Sequence, residues 1–415
     1  MKLDEFTHAG PTMANLTNTN QTPQSAIRNP KSEIVPNPQS EIRNPKSAYV
    51  HVPFCAHRCG YCNFTLVAGR DDLVPAYLGA LERELRQLED PRPIDTLYIG
   101  GGTPTQLDID SLEQLLQIVL DWFPPRRDAE FSVEANPADL TAAQMAVLTE
   151  AGVTRISLGG QSFDDAKLRT LQRDHTASDI QRAVQLVREH GQQIALDLIF
   201  GVPGETLPVW HRDLDHAVNL GVDHVSTYGL TYEKGTEFWT RRYKGQLQPA
   251  AEEDELAMYE SAIDTLTAAG FDHYEISNCA RPGSRSRHNE AYWTGGGYYA
   301  AGPGAARLVG DVRQSNHRST TTYIRRLASG ASAVAEVERL STEDLARERL
   351  IFGLRRLEGI DEDDFQRQTG FDVDGLAGPA LCRHVGQGLL SRQSRRLRLT
   401  RRGLVVSDSI WPDLL

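Results

Sequence analysis

Two patterns of apolar residues alternate between residues 48 and 230, and together they predict the fold of this part of the chain. Short runs of β-branched and aliphatic residues, typical of buried strands, are each followed by a stretch with apolar residues at helical spacing. The predicted strands are Ala48–Val52, Thr96–Ile99, Glu130–Val133, Arg155–Leu158, Ile194–Phe200 and His224–Leu230. The predicted helices between them are Leu73–Leu88, Ile109–Trp122, Ala142–Ala151, Ala177–Glu189 and Leu207–Leu220. Strands that alternate with helices in this way pair in parallel through right-handed crossovers.

This strand–helix block is too short for a complete eight-stranded barrel, which takes about 250 residues. We therefore predict an α/β fold in which residues 48–240 form a partial (β/α)6 barrel, with a doubly wound sheet as the alternative. The alternation stops after residue 240, so residues 241–335 are predicted to form an extension that contains a Gly-rich aromatic segment. Residues 336–415 show two further helices, Glu343–Leu357 and Glu362–Thr369, before a terminal β-ribbon. That order predicts an α+β, winged-helix-like domain.

Residues 10–48 differ in composition from the rest of the chain, since they are rich in Asn, Gln, Ser, Pro and Thr and contain a near-exact repeat of residues 24–32 at residues 39–47. Two copies are too few for a solenoid, and the repeated unit has too little apolar surface to offset the entropy of ordering. Residues 1–47 are therefore predicted to be a disordered extension.

The charge, the apolar content and the cysteine count of the chain restrict the classes of function that it can have. The chain of 415 residues has a formal charge of -12, which disfavours general binding to nucleic acid or anionic membranes. We find no apolar run near the ~20 residues of a membrane span and no signal peptide in the first 20 residues, so we expect a cytoplasmic protein. Five cysteines are an odd number, and three fall within eight residues, which predicts a metal or redox site rather than a disulfide framework.

The three clustered cysteines, Cys55, Cys59 and Cys62, form a C-x3-C-x2-C motif directly after the first predicted strand. Three thiolates are one short of closing a tetrahedral zinc site or a four-cysteine iron–sulfur cluster. A zinc site would recruit His51 or His57 as its fourth ligand. We favour a [4Fe–4S] cluster with one iron left open, because structural zinc sites usually pair two separate knuckles and the sequence has no second one.

Polar or Gly-rich motifs also stand at the carboxyl end of each of the remaining predicted strands, where the loops of a barrel converge on its functional face. They are Gly100–Thr105, Glu134–Pro137, Gly159–Phe163 and Gly201–Gly204, with Arg173 and His175 further along, Asp197 within the fifth strand, and Tyr228 and Thr231 at the sixth. Each motif is weak evidence taken alone, but their common position predicts one site at the mouth of the barrel.

A C-x3-C-x2-C motif with an aromatic residue before its last cysteine, at the start of a (β/α)6 block, resembles the radical S-adenosylmethionine (SAM) superfamily. The resemblance extends to the family of oxygen-independent coproporphyrinogen III oxidases and to its HemW-type branch of haem chaperones. The motifs that carry it are Tyr49–Cys55, Gly100–Thr105, Glu134–Pro137, Gln161–Phe163, Asp197–Gly201, Tyr274–Asn278 and His288–Trp293. The oxidases carry a further cysteine where this chain has Phe64, so the resemblance favours the chaperone branch, with the oxidase as the alternative function.

The resemblance implies three cofactors: the cluster, SAM held at its open iron, and haem for delivery to an acceptor protein. The residues implied to contact SAM are Tyr49, Tyr61, Gly101, Gly102, Thr103, Glu134, Gln161, Arg173 and Asp197. The H-N-x-x-Y-W segment is linked with haem in this branch, which would make His288 an axial ligand beside a wall formed by Tyr292 and Trp293. Alternatively, these side chains anchor the segment to the barrel.

The chain departs from the pattern of the branch at three positions: Asn63 replaces Asp, Gln172 replaces Gly, and Ala306 replaces His. The loss of a histidine at 306 bears on the haem site more than on the cluster. A nucleic-acid module is a further rival, since six arginines lie between residues 392 and 402. We interpret those arginines as a solvated sheet edge and expect no nucleic-acid partner.

Overall fold

The computed structural model describes residue 42 and residues 44–415 of the chain. The predicted extension over residues 1–47 therefore lies outside the described residues, apart from residue 42 and its last four positions. The description below concerns the described part alone.

A nine-stranded sheet forms the centre of the described structure. Its barrel strands are β1 (Ser47–Val52), β2 (Ile94–Gly101), β3 (Pro125–Ala135), β4 (Arg155–Gln161), β5 (Gln193–Phe200) and β6 (His224–Gly229). Three further strands follow: β7 (Asp272–His273), β8 (Asn278–Ala280) and β9 (Tyr299–Ala301). The order in the sheet is β9-β1-β2-β3-β4-β5-β6-β8-β7, and the strands from β9 to β6 are all parallel. The predicted α/β fold with a partial (β/α)6 barrel is thereby confirmed.

Helices join the parallel strands and cover the outside of the barrel. Their bounds are α1 (Val74–Leu85), α2 (Ile109–Trp122), α3 (Ala142–Glu150), α4 (Asp165–Thr170), α5 (Ala177–Glu189) and α6 (Leu207–Leu220). Local sequence defines several ends: Asp108 caps α2 by accepting from the Ser111 amide, and Thr141 with Gln144 forms a capping box on α3. Gly221 ends α6 at a φ of 66°, a conformation that favours glycine.

The strands present apolar side chains to the helices and polar side chains to the inside of the barrel. In β2, Leu97 and Ile99 belong to the apolar core, whereas Tyr98 lines the interior. The same alternation places Ser157 and Asp197 inside on β4 and β5. The interior of the barrel is therefore a polar lumen rather than an apolar core.

Residues 241–335 add both edges of the sheet to the barrel. Strand β8 pairs antiparallel with β6, and β9 pairs parallel with β1. The remaining elements of this stretch are α7 (Glu237–Tyr243), α8 (Glu252–Ala268), α9 (Arg287–Trp293), β10 (Ala306–Val309), β11 (Val312–Asn316), α10 (Thr320–Ala328) and β12 (Val334–Arg339). Strands β10, β11 and β12 form a separate antiparallel sheet.

The C-terminal elements are α11 (Thr342–Arg355), β13 (Ile360–Asp361), α12 (Glu362–Thr369), α13 (Val373–Gly386), β14 (Leu390–Gln393), β15 (Arg396–Leu399), α14 (Arg401–Val405) and α15 (Ser407–Leu414). Strands β14 and β15 form the antiparallel ribbon that the sequence predicts, and β13 pairs with β15. Arginines in and next to this ribbon are paired with acids: Arg392 on β14 with Glu362 and Asp374, and Arg401 at the start of α14 with Asp264. These ion pairs reduce the positive charge available to a nucleic acid.

Candidate cofactor site in the barrel

A cavity of about 190 Å³ occupies the lumen of the barrel. The predicted cluster ligands, the predicted SAM contacts and the predicted axial haem ligand all line this one cavity, whereas Tyr292 and Trp293, the predicted aromatic wall, do not belong to its lining. The predicted residues in the lining are Cys55, Cys59, Cys62, Tyr49, Tyr61, Gly101, Gly102, Thr103, Glu134, Gln161, Arg173, Asp197 and His288. They come from several strand ends and loops that are far apart in sequence, and the sheet order brings them together.

The loop that carries the three cysteines is held by backbone and arginine contacts. A short parallel pairing of Phe54–Cys55 with Val67–Ala68 closes its base. Within it, the Cys62 amide donates to the Cys59 carbonyl over 3.1 Å. The exposed Arg58 donates to the carbonyl oxygens of Cys62 and Leu66 at 3.1 and 2.9 Å. The loop therefore has a defined shape that aims its thiols at the cavity.

The three thiols differ in their electrostatic surroundings. Burial raises the pKa of Cys55 to about 11 and that of Cys62 to about 12. Burial also acts to raise the pKa of Cys59, but the His57 ring, 3.7 Å from its sulfur, and the Arg173 guanidinium, 3.5 Å away, outweigh it and lower that pKa. Cys59 thus sits among donors that stabilise a thiolate, the form that binds iron.

The Gly-rich loop after β2 is shaped by close approach to its neighbours. A Cβ atom on Gly100 would lie 2.5 Å from the carboxyl carbon of Glu134, and one on Gly101 would lie 2.3 Å from the His51 ring. The amides of Gly101 and Gly102 are engaged within the protein, donating to a Glu134 oxygen at 2.8 Å and to the Val52 carbonyl at 2.7 Å. What this loop offers a ligand is therefore its carbonyl oxygens and the Thr103 hydroxyl.

Two carboxylates face the lumen from β3 and β5. Glu134 accepts a 2.8 Å hydrogen bond from the Tyr98 hydroxyl in addition to that from Gly101. Burial in the barrel raises the pKa of Glu134 to about 7, with a contribution from Asp197 nearby. Burial likewise raises the pKa of Asp197 to about 6, while Ser226 and Arg173 act in the opposite direction. Both groups are therefore poised to ionise close to neutral pH.

Arg173 reaches the cavity beside the cysteine loop. Its Nη2 donates to the Asn136 side chain and to the Gly159 carbonyl, each at 3.0 Å. The guanidinium is held by these neutral groups and by the Cys59 sulfur rather than by a surface ion pair. Gln161, on the same wall, adopts a φ of 64°, a left-handed conformation that is uncommon for a residue other than glycine.

The two tyrosines of the predicted SAM set differ in how they are held. The Tyr49 hydroxyl lies 2.9 Å from Nδ1 of His51, whose Nε2 lies 2.6 Å from the Thr65 carbonyl. Tyr61 packs edge-on against Phe238, with ring centroids 6.3 Å apart. Because both nitrogens of His51 are engaged in this way, it is a poor candidate for a fourth zinc ligand.

His288 lines the cavity at the end opposite the cysteine loop. Its Nδ1 lies 3.1 Å from the hydroxyl of Thr96, at the start of β2, and its Nε2 lies 3.0 Å from the hydroxyl of Tyr292. The ring stacks on Tyr98 with centroids 5.1 Å apart, and burial lowers its pKa to about 3. Helix α9 thus closes the bottom of the barrel, and both His288 nitrogens are engaged.

Several residues that shape the cavity were not among the predicted site residues, notably Tyr98, Arg155 and His224. The sequence holds a signal for them. Polar residues recur at every second position of the predicted strands, as in Glu130, Ser132 and Glu134. A strand buried between apolar layers on both faces lacks this pattern, so the pattern indicates a polar face inside the barrel.

The remaining site features concern metals, thiols and membranes. All five cysteines are free. Within residue 42 and residues 44–415, no three side chains of His, Cys, Asp or Glu stand close enough together to hold one metal ion. In the same part of the chain, we find no helix with the length and apolar character required to span a bilayer.

Comparison with known proteins places this site in a family. Residues 49–226 match the radical SAM superfamily, and residues 340–406 match the HemN C-terminal domain. "Heme chaperone HemW" of Bacillus subtilis (strain 168) is 35% identical over 373 residues, 89% of this chain and 98% of the relative. "Heme chaperone HemW" of Mycobacterium tuberculosis (strain H37Rv) is 38% identical over 382 residues, 88% of this chain and 94% of the relative.

A mammalian relative and a solved structure extend the comparison. The mitochondrial "Radical S-adenosyl methionine domain-containing protein 1" of Mus musculus is 34% identical over 88% of this chain and 86% of its own length. The coproporphyrinogen III oxidase HemN of Escherichia coli, a radical SAM enzyme, superposes with a TM-score of 0.79 over 91% of this chain and 92% of that chain. Its sequence identity is 22%, so it supports the fold alone. With relatives more than 30% identical along most of its length, the chain belongs to the radical SAM superfamily and, within it, to the family of the heme chaperone HemW.

Proposed function

We propose that this chain is a haem chaperone that binds a [4Fe–4S] cluster and SAM in the barrel and delivers haem to an acceptor protein. The observation that carries the proposal is that the three cysteines and the nine residues assigned to SAM line a single cavity. The relatives named heme chaperones cover nearly 90% of the chain. The cytoplasm, where thiols stay reduced, suits a protein whose five cysteines are all free.

Cys55, Cys59 and Cys62 would hold the cluster. The donor set fits it, because the cysteine loop supplies three sulfur ligands and because Arg173 and His57 stabilise the thiolate form of Cys59. With a thiolate on each of three irons, a fourth iron stays open for an exogenous ligand. When bound, the cluster would supply one electron to that ligand, and the role of the protein is to orient the ligand beside it.

The lumen offers a charged ligand such as SAM complementary groups. Glu134 and Asp197, once ionised, accept hydrogen bonds from an ammonium group or from ribose hydroxyls. The Arg173 guanidinium, already beside Cys59, can pair with a carboxylate. Tyr49, Tyr61 and Gln161 complete the walls, and the carbonyl oxygens of Gly101 and Gly102 add further acceptors. The roles assigned here are those that the family resemblance implies.

His288 is our proposed haem ligand, and the structure sets a condition on that role. Its Nε2 must exchange the Tyr292 hydroxyl for iron, and α9 must move, since the ring is buried at the bottom of the barrel. Among the other histidines near the cavity, His57 has the most accessible side chain, with 39% exposure against 0% for His175. His57 is therefore the alternative ligand.

Anaerobic reconstitution tests the proposal. The full chain, reconstituted with iron and sulfide and then incubated with haemin, should retain both the cluster absorption and a Soret band after gel filtration. It should not convert coproporphyrinogen III to protoporphyrinogen in the presence of SAM and a reductant. Such turnover would establish the oxidase, the alternative function. Zinc bound in place of iron would reject both.

A further inference from the structure

The deep end of the barrel cavity, at the starts of the strands and opposite the cysteine loop, contains an unusual group of polar atoms. Arg155 begins β4, Ala195 lies near the start of β5, and His224 begins β6. In the sheet, Ala195 pairs with His224, while Arg155 pairs with Gln193 two residues before Ala195. Arg155, Ala195 and His224 all line the cavity. Ala195, whose side chain is a single methyl group, lies beside His224 and diagonal to Arg155 in this lining.

Arg155 uses only one of its three guanidinium nitrogens within the described residues. Its Nη2 donates to the Gln193 side chain at 2.9 Å and to the carbonyls of Ser284 and Arg285 at 2.9 and 3.0 Å. The same nitrogen lies 3.5 Å from Glu130. Nε and Nη1 are buried and have no hydrogen-bond partner among residue 42 and residues 44–415. The side chain, 2% exposed, is thus anchored at one end and carries two unused donors.

The nearest countercharge, Glu130, is already engaged. Its two carboxylate oxygens accept the backbone amides of Arg287 and His288, each at 3.0 Å. Glu130 therefore serves the first turn of α9, and it contacts Arg155 only through the nitrogen that is already bonded elsewhere. The charge of Arg155 is partly balanced, but its Nε and Nη1 donors are not satisfied.

His224 contributes a third buried polar atom without a partner among the described residues, the Nδ1 of its ring. The Tyr274 hydroxyl oxygen accepts the Ser286 amide at 3.1 Å and lies 2.8 Å from Nε2 of His224. The Tyr274 hydroxyl can donate its own proton to Nε2, and in that tautomer the proton of the neutral imidazole is on Nδ1. Burial lowers the pKa of His224 well below its usual value, so the ring is neutral.

Two N–H donors of Arg155, and a third from His224 in that tautomer, have no acceptor among the described residues and face one buried compartment. They favour a ligand that accepts hydrogen bonds, because a buried donor without an acceptor is unfavourable. The hydroxyls of Ser157 and Ser226 line the next layer. We propose that the deep end of the barrel binds the carboxylate group of a small organic acid, held by Arg155 and His224 beside Ala195. This site is separate from the cysteine loop and requires neither the cluster nor SAM.

Formate is the probe that tests this site. Titration of the reconstituted full chain with 13C-labelled formate should show saturable binding by NMR line broadening, and the neutral isostere acetamide should bind at least tenfold more weakly. Arg155→Gln removes the charged donors, and Ala195→Leu adds a larger side chain at the site without removing a polar group. Arg155→Gln should weaken formate binding ten- to a hundredfold, the effect of losing one charge-assisted hydrogen bond. Ala195→Leu should weaken it at least as much, because the larger side chain occupies the site.

Arg313→Gln is the matched control. Arg313 is also a buried arginine, 5% exposed, but it pairs with Glu338 and Glu348 in another sheet. Formate binding should be unchanged in this variant. If Arg155→Gln does not fold, Ala195→Leu decides alone. Equal affinity for formate and acetamide, or unchanged binding in the folded deep-end variants, overturns the proposal, and phosphate binding as tight as formate overturns its assignment to a carboxylate. Cluster spectra and SAM affinity, measured in parallel, report on the proposed function independently.

Discussion

Replacing Glu134 by glutamine should stabilise the ligand-free protein at alkaline pH and weaken its binding of SAM. The change removes a negative charge from the lumen and keeps the size of the side chain. The amide oxygen can still accept from the Gly101 amide, now 2.8 Å from Glu134. The amide nitrogen can donate to the Tyr98 hydroxyl, which rotates to accept. The substitution therefore alters charge with little change in packing.

The magnitude follows from the pKa of Glu134. Burial raises it from 4.5 to about 7, a difference worth about 3 kcal/mol at ~1.4 kcal/mol per unit. The folded state holds the proton more tightly than the unfolded state, so the wild-type protein loses stability as pH rises from about 4.5 to about 7. The figure is an upper bound, because the cavity admits water around the half-buried carboxyl group. Glutamine does not titrate and escapes this loss.

Denaturant unfolding of the full chain without cofactors, at pH 5 and pH 8.5, measures the effect. We expect Glu134→Gln to gain about 2 kcal/mol more relative to wild type at pH 8.5 than at pH 5. A gain from Glu134→Gln that is equal at both pH values would show that Glu134 titrates normally and would refute the reasoning.

Three further predictions concern the cofactors. Alanine at Cys55, Cys59 or Cys62 should abolish the iron–sulfur absorption of the reconstituted protein. Cys279→Ala should preserve that absorption, because Cys279 lies on β8 away from the cavity lining. A cluster lost only in Cys279→Ala would reject the assignment. Asp197→Asn should weaken SAM binding, measured by calorimetry, ten- to a hundredfold, which corresponds to the loss of one charge-assisted hydrogen bond. The affinity of the wild-type protein for SAM should fall as the pH drops through about 6, where Asp197 takes up a proton. His288→Phe keeps an aromatic ring that can stack on Tyr98 and removes both ring nitrogens. It should therefore erase or shift the haem Soret band and leave the cluster spectrum intact. An unchanged Soret band would assign the ligand role to His57.

The parallel barrel could be predicted from the sequence because its apolar runs and helical periodicity are local signals. Strand ends were less predictable. The sequence indicates Glu130–Val133, whereas β3 spans Pro125–Ala135. The added residues at its start, such as Arg126 and Arg127, are exposed and polar and carry no pattern of a buried strand. Only Pro125 pairs with β2, through Ile94, and residues 126–129 bulge out before pairing resumes between Thr96 and Glu130. The pairing that sets the start of this strand is a tertiary effect.

The conformation of the loop at Gln172 gives physical meaning to a departure from the family pattern that is visible in the sequence but not explained by it. Gln172 stands where the branch has glycine, and its φ of 58° lies in the left-handed region. A glycine adopts this conformation without the steric cost that a Cβ atom incurs, about 1–2 kcal/mol. The Gln172 side chain has a bond of its own, donating to Glu237 on α7 at 3.0 Å. The strain and this contact both depend on geometry that no linear motif encodes.

The placement of His288 shows where motif reasoning reaches its limit. A histidine beside Tyr and Trp in a Gly-rich segment fits an exposed haem face and a buried plug equally well, because both uses need aromatic surface and a polar ring. The distinction depends on which end of the barrel receives α9. The backbone amides of Arg287 and His288 donate to Glu130, in the layer where the strands begin, and so fix α9 at the bottom. Glu130 is remote in sequence and unremarkable by itself. If His288 binds haem, the contact between α9 and Glu130 must therefore open. The free energy needed to detach α9 from the bottom of the barrel is then the energetic cost of haem binding.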